Sequence, residues 1–187
     1  MSLVKREELL DYQTWTERKR EALPRILAEK ARRRIGVGEC FTFLFENRET
    51  VGYQIQEMMR VERMVKEAEI RHELETYNEL LGGPGGLGCS LLIEIDDPAR
   101  RDVRLREWTT LPGKTYVKLP DGRKVYATFD PRQVGGDRLS SVQFLKFAVG
   151  GVTPVGVGID LPGAAAYTPL TEDQRKALQE DLADASR

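Results

Sequence analysis

Two glutamates on one stretch of predicted helix, Glu57 and Glu62, are the residues of this 187-residue chain best placed for acid–base chemistry. On a wheel of 100° per residue, Val51, Ile55, Met58 and Val65 fall within about 80° of one another, and Glu62 lies in the middle of that apolar seam. An isolated charge in such a place costs several kcal/mol, so Glu62 is expected to have a companion. The preferred companion is an arginine, Arg48 or Arg60, in a structural pair. The sharper alternative is a site carboxylate with its pKa raised towards neutrality, as a general acid needs. Glu57 or Glu62 would then act on a small ligand steered by Arg48, Arg60, Gln54 and Tyr77. Further along, Glu69-x-x-His72 has the spacing by which di-iron bundles present a carboxylate and an imidazole on one helix face. Those bundles need two such motifs and further glutamates, and this chain has a single histidine. The pattern therefore favours a solvated charged face over a metal site, and no cofactor is expected.

The elements that must position these residues follow from periodicity. FTFLF, within Glu39 to Glu46, has the composition of a buried strand, and Asn47 then serves as N-cap with Glu49 in the first turn. Ile70, Leu74, Tyr77 and Leu81 occupy a face turned by about 100° from the first seam, which predicts a kink or break near Lys66 to Ala68. Gly82 to Gly88, GGPGGLG, lacks the GK[ST] ending of a phosphate loop and is expected to be a flexible connection. Upstream, Lys5 to Leu23 and Arg25 to Arg34 read as helix on either side of Pro24. Downstream come a strand at Cys89 to Ile95, a helix opened by Asp97 and Pro98, and a hairpin around Asp121 and Gly122. Strands at Val142 to Val149 and Val155 to Leu161 follow, and the capping box Thr171 to Gln174 opens a last helix. The sum is an α+β protein, helix-rich in its N-terminal half, with a mostly antiparallel sheet shared by both halves. One domain over residues 1–187 is expected, with 82–88 as the natural cut were there two.

A net charge of −1 gives no global pull towards nucleic acid or anionic lipid, so an RNA or nucleotide role would need the local runs Lys30 to Arg34 or Arg100 to Arg106. The first run has no aromatic platform nearby, and the aromatics of the chain are scattered. Cys40 and Cys89 stand alone, which predicts reduced thiols. No apolar run has signal-peptide or membrane-span length, so a soluble cytoplasmic protein is expected.

FENRETVGYQIQEMMRVERM, ELETYNELL, CSLLIEIDDPARR, KVYATFD and SVQFLKF together resemble the bacterial domain-of-unknown-function family 3501 over nearly the whole chain. The residues carrying the likeness include Glu46, Asn47, Arg48, Gln54, Glu57, Arg60, Glu62, Tyr77 and Asn78. His72 is not among them. The resemblance implies no assigned activity, but such genes stand beside those of rubrerythrin-like and iron-sulfur oxidoreductase proteins. The reading placed first is an accessory or interaction protein serving a redox or iron protein. A small-ligand binder or enzyme comes second and RNA binding third. A homo-oligomer is compatible with all three.

Overall fold

Strand alternation decides the layers. In the computed structural model, which describes residues 2–184, β1 (Arg34–Val37), β2 (Phe41–Glu46), β3 (Leu87–Ile93) and β8 (Val142–Phe147) form one antiparallel sheet in the order β1-β2-β3-β8. Its register sets Phe43 opposite Leu91 and Cys89 opposite Leu145. Successive side chains point to opposite faces. Phe43, Phe45, Leu91, Leu145 and Phe147 therefore face one way, and Thr42, Leu44, Glu46, Ser90 and Phe144 the other.

The second sheet, also antiparallel, has the order β10-β9-β4-β5, from β4 (Thr115–Lys118), β5 (Lys124–Tyr126), β9 (Gly156–Ile159) and β10 (Ala166–Pro169). Val117, Val157 and Ile159 join the phenylalanines of the first sheet in one apolar core. Leu105 of α4 (Pro98–Glu107), then Trp108 and Leu111, and Leu178 and Leu182 of α5 (Glu172–Asp184), complete that core. A short ladder of β6 (Val134–Gly135) and β7 (Arg138–Leu139) lies outside both sheets. The α+β class stands, but the strands divide between two sheets where the sequence pattern implied one. The loop at 82–88 does not separate domains, because β2 before it and β3 after it are neighbours in one sheet.

Helices cover the other face of the first sheet. α1 (Tyr12–Ala31) starts at Asp11, whose carboxylate accepts from the backbone N–H groups of Gln13 and Thr14, and it runs through Pro24 without a break. α2 (Arg48–Val61) starts at Asn47, which exchanges hydrogen bonds with Thr50. Val51, Ile55 and Met59 of α2 pack with Val4, Leu9, Met64, Ile70 and Leu81 in a second apolar cluster. The chain then turns at 62–66, where Arg63 takes a left-handed φ of 51°, and re-enters helix as α3 (Glu67–Asn78). The break therefore comes some four residues before the place that periodicity suggested, and Val65 is 74% exposed instead of inward.

Gly82 to Gly88 is a packed turn, not a slack connection. A side chain at Gly88 would collide with the carbonyl oxygen of Leu80, so only glycine lets β3 start against the end of α3. Gly151 N–H donates to the Gly85 carbonyl at 2.9 Å and pins the turn to the loop after β8.

Candidate functional site

Glu57 is the centre of a saturated ion-pair cluster between α1 and α2. Its carboxylate accepts from Trp15 Nε1 at 2.8 Å, Lys19 Nζ at 2.5 Å, and Arg60 Nη2 and Nε at 3.1 and 3.3 Å. Burial pushes the carboxyl up, but the hydrogen bonds from Arg60, Lys19 and Trp15 outweigh it and hold the pKa down at about 2. This is the reverse of what a general acid at neutral pH requires.

Glu62 is not in the core. It caps the C-terminus of α2 and is exposed, because the helix ends there and the residues that would have completed the seam turn away with it. Arg48 is also elsewhere: its Nε donates to the Leu3 carbonyl at 3.3 Å and its guanidinium pairs with Glu8. The expected constellation of Glu57, Glu62, Arg48 and Arg60 thus reduces to the Glu57–Arg60 pair. Asn78 ties the N-terminal segment down, bonding the Val4 N–H and carbonyl at 2.9 and 3.0 Å. Glu69 and His72 are exposed, and Glu69 pairs with Lys66 at 3.0 Å. Among the described residues no group of three His, Cys, Asp or Glu side chains is placed to hold a metal ion.

The carboxylate that does sit among apolar residues is Glu46, 1% exposed at the end of β2. Its two oxygens accept from Thr50 Oγ1 at 2.6 Å and Ser90 Oγ at 2.7 Å. Each oxygen of the buried carboxyl group therefore has a hydroxyl partner. Burial, and then Glu46, push the thiol of Cys89 well above its ordinary pKa, so Cys89 is an inert thiol. Both Cys40 and Cys89 are free cysteines.

A larger buried network went unread in the sequence. Arg33, 2% exposed, bonds Asp181 of α5 through Nε and Nη2, both at 2.8 Å, and the Glu29 carbonyl at 3.0 Å. Asn47 Nδ2 reaches Asp181 at 3.4 Å and Glu29 at 3.3 Å, joining the network to the start of α2. The rest of the Lys30 to Arg34 run is also engaged: Lys30 lies 4.9 Å over the Tyr53 ring, Arg32 pairs with Glu180, and Arg34 with Glu94. Arg104 and Arg106 of the second basic run pair with Glu107 and Asp102.

A groove lies on the outer face of the first sheet, walled by α2 and α3. One half, about 490 Å³, is lined by Gln54, Met58, Val61, Ser90, Leu92 and Val142. A second half, also about 490 Å³, lies between α3 and the segment 128–133. Tyr77 and Phe144 line both halves. Val61, Val142 and Phe144 are 65%, 37% and 41% exposed, a contiguous apolar surface of the kind that marks an interaction site. Gln54 and the Tyr77 hydroxyl make no side-chain hydrogen bond among the described residues. Of the residues proposed from sequence, Gln54, Glu57 and Tyr77 therefore meet at one place, with Glu57 as support.

The fold and groove define a two-sheet α+β protein with a partly apolar groove on the outer face of its first sheet. The chain belongs to the protein-of-unknown-function family DUF3501, whose model matches residues 3–182. It is similar to a crystal structure described as a novel protein of unknown function from Burkholderia pseudomallei K96243. The TM-score is 0.88 at 26% identity, over 97% of this chain and 100% of that one. No curated protein matches. Among the described residues no helix is long and apolar enough to cross a membrane.

Proposed function

We propose that this is an interaction protein whose working surface is the α2–α3 groove, which receives apolar side chains of a partner protein. The observation that carries the reading is Phe144. Its ring stands outward from a sheet face that helices otherwise cover, between two cavities and beside the Tyr77 hydroxyl, which has no side-chain hydrogen bond among the described residues. Phe144 is 41% exposed, so a docking partner that covers the rest of the ring recovers on the order of 1 kcal/mol, a part of what full burial of a phenylalanine is worth. The family resemblance directs the search for that partner to iron and oxidoreductase proteins. The groove supports this accessory role over acid–base catalysis because Glu57 is held ionised and Glu62 stands in water.

A photo-crosslinking residue placed at position 144, in cells of the encoding organism, is expected to give a discrete protein adduct. The same residue at Leu27, an exposed apolar position on α1, is the control and is expected to give none. No adduct at 144, or the same adducts at both positions, refutes the groove. An adduct that is neither an iron protein nor an oxidoreductase component refutes the redox association alone.

A further inference from the structure

The groove also specifies the form and charge of what it receives, an inference that rests on the reading just proposed. β8 is an edge strand, and an edge is normally open to an added strand. Here it is closed. The Gln133 side chain donates from Nε2 to the Phe144 carbonyl at 3.0 Å and accepts from the Phe144 N–H at 2.7 Å through Oε1, taking the place of a neighbouring backbone. One step along, Thr128 and Lys146 exchange both backbone hydrogen bonds at 2.8 Å. An extended segment finds no free main-chain groups at these positions, so the occupant must dock through side chains, as an amphipathic helix does.

The margins are acidic on one side. Glu73 and Glu79 of the α3 wall line the groove, and Glu62 and Glu73 both act on the Tyr77 phenol, raising its pKa after the larger effect of burial. Among the described residues none of these three glutamates has an ion-pair partner, although 20 ion pairs are formed elsewhere. Arg132 acts on Glu79 but bonds Asp130, and Lys146 is the one lining cation without an ion pair among the described residues. We infer that the groove takes an amphipathic helix of a partner protein whose apolar face meets Phe144, Tyr77 and Val142 and whose flank carries lysine or arginine opposite Glu62, Glu73 and Glu79. Complementary charge at the rim sets orientation and association rate, while the apolar centre holds the complex.

The test uses the full chain and synthetic peptides of about 18 residues, long enough for marginal helix. One has a leucine face and a lysine face, the second has glutamate in place of lysine, and the third is a scrambled leucine–lysine peptide. The lysine peptide is expected to bind about tenfold more tightly than the glutamate peptide, with the gap narrowing as salt screens the rim. The triple change Glu62→Gln, Glu73→Gln, Glu79→Gln is expected to erase the gap and leave the leucine-dependent binding. Phe144→Asp is expected to abolish binding of both helical peptides. Equal binding of the lysine and glutamate peptides refutes the charge assignment and leaves the groove standing. Equal binding of the scrambled peptide refutes the helix. Failure of both helical peptides to bind, or indifference to Phe144→Asp, refutes the groove reading with it.

Discussion

Arg33→Ala is expected to lose about 3–5 kcal/mol of unfolding free energy, seen as a lower urea midpoint with an unchanged slope. The side chains of Arg33 and Asp181 are 2% and 6% exposed, so truncating the arginine strands a carboxylate that water cannot reach. Burial already pushes the Asp181 carboxyl above its ordinary pKa, and the Arg33 guanidinium and Asn47 amide are what restrain it. Arg33 also pairs with the Glu29 carboxylate, which is partly exposed and has Arg32 as a second partner, so Arg33→Met together with Asp181→Leu removes the carboxylate that would be stranded in the interior and is expected to cost less than Arg33→Ala alone. Arg32→Ala, one residue away, breaks a pair whose two side chains are 33% and 48% exposed and is expected to cost under about 1 kcal/mol. The comparison separates a buried tie from a surface one within a single basic run. The tie matters for the groove because the network ends on Asn47, the N-cap of the helix that forms one wall.

The sequence pattern reached the elements more readily than their partners. FTFLF and CSLLIEI are apolar and β-rich over strand length, and the Asn47, Asp97 and Thr171 starts rest on capping chemistry read within a few residues, so both were legible. The division into two sheets was not, since it depends on which strand pairs with which, a long-range choice that alternation alone leaves open. The end of α2 was missed for a similar reason. Glu62-Arg63-Met64-Val65-Lys66 contains neither Gly nor Pro, yet Arg63 turns left-handed, the Met64 N–H returns to the Met59 carbonyl at 2.9 Å, and Met64 joins the cluster with Met59.

The buried carboxylate was expected, but at the wrong residue. A helical wheel extended past Val61 carries Glu62 into the core, whereas Glu46 stands at the last position of the FTFLFE strand, where helical periodicity does not apply. Strand period two did hold the signal: Thr42, Leu44 and Glu46 share one face, and that face is covered by α2. The hydroxyl that completes the site, Ser90, enters only through the β2–β3 register. Arg33 was hidden by its neighbours, because four cations in a helix-terminal run look alike until α5 arrives from almost 150 residues later to select one. The groove was legible only as its members Gln54 and Tyr77. Phe144 lies on the outward face because the β3–β8 register sets it opposite Ser90, a pairing that the strand pattern at Val142 to Val149 does not reveal.

Acid is expected to destabilise the protein through Glu57 in a defined window. The carboxyl has a folded pKa of about 2 against an ordinary 4.5, so the folded state binds its proton less readily than the unfolded chain. Its contribution to stability is therefore complete above pH 4.5 and is lost as pH falls from there through about 2. With the side chain 20% exposed and Lys19 and Arg60 partly in water, that contribution is worth about 2 kcal/mol after allowance for screening. Urea midpoints of wild type and Glu57→Gln, followed across this range, should converge as the acid removes what the substitution already lacks. A wild-type curve that stays parallel to the variant's down to pH 2 would show that Glu57 is not held ionised by its three donors. The same measurement bears on chemistry. A carboxylate that titrates near 2 has no proton to give at neutral pH, and its lone pairs are committed to Trp15, Lys19 and Arg60, so its place is to fix α2 against α1 and hold the groove wall in position.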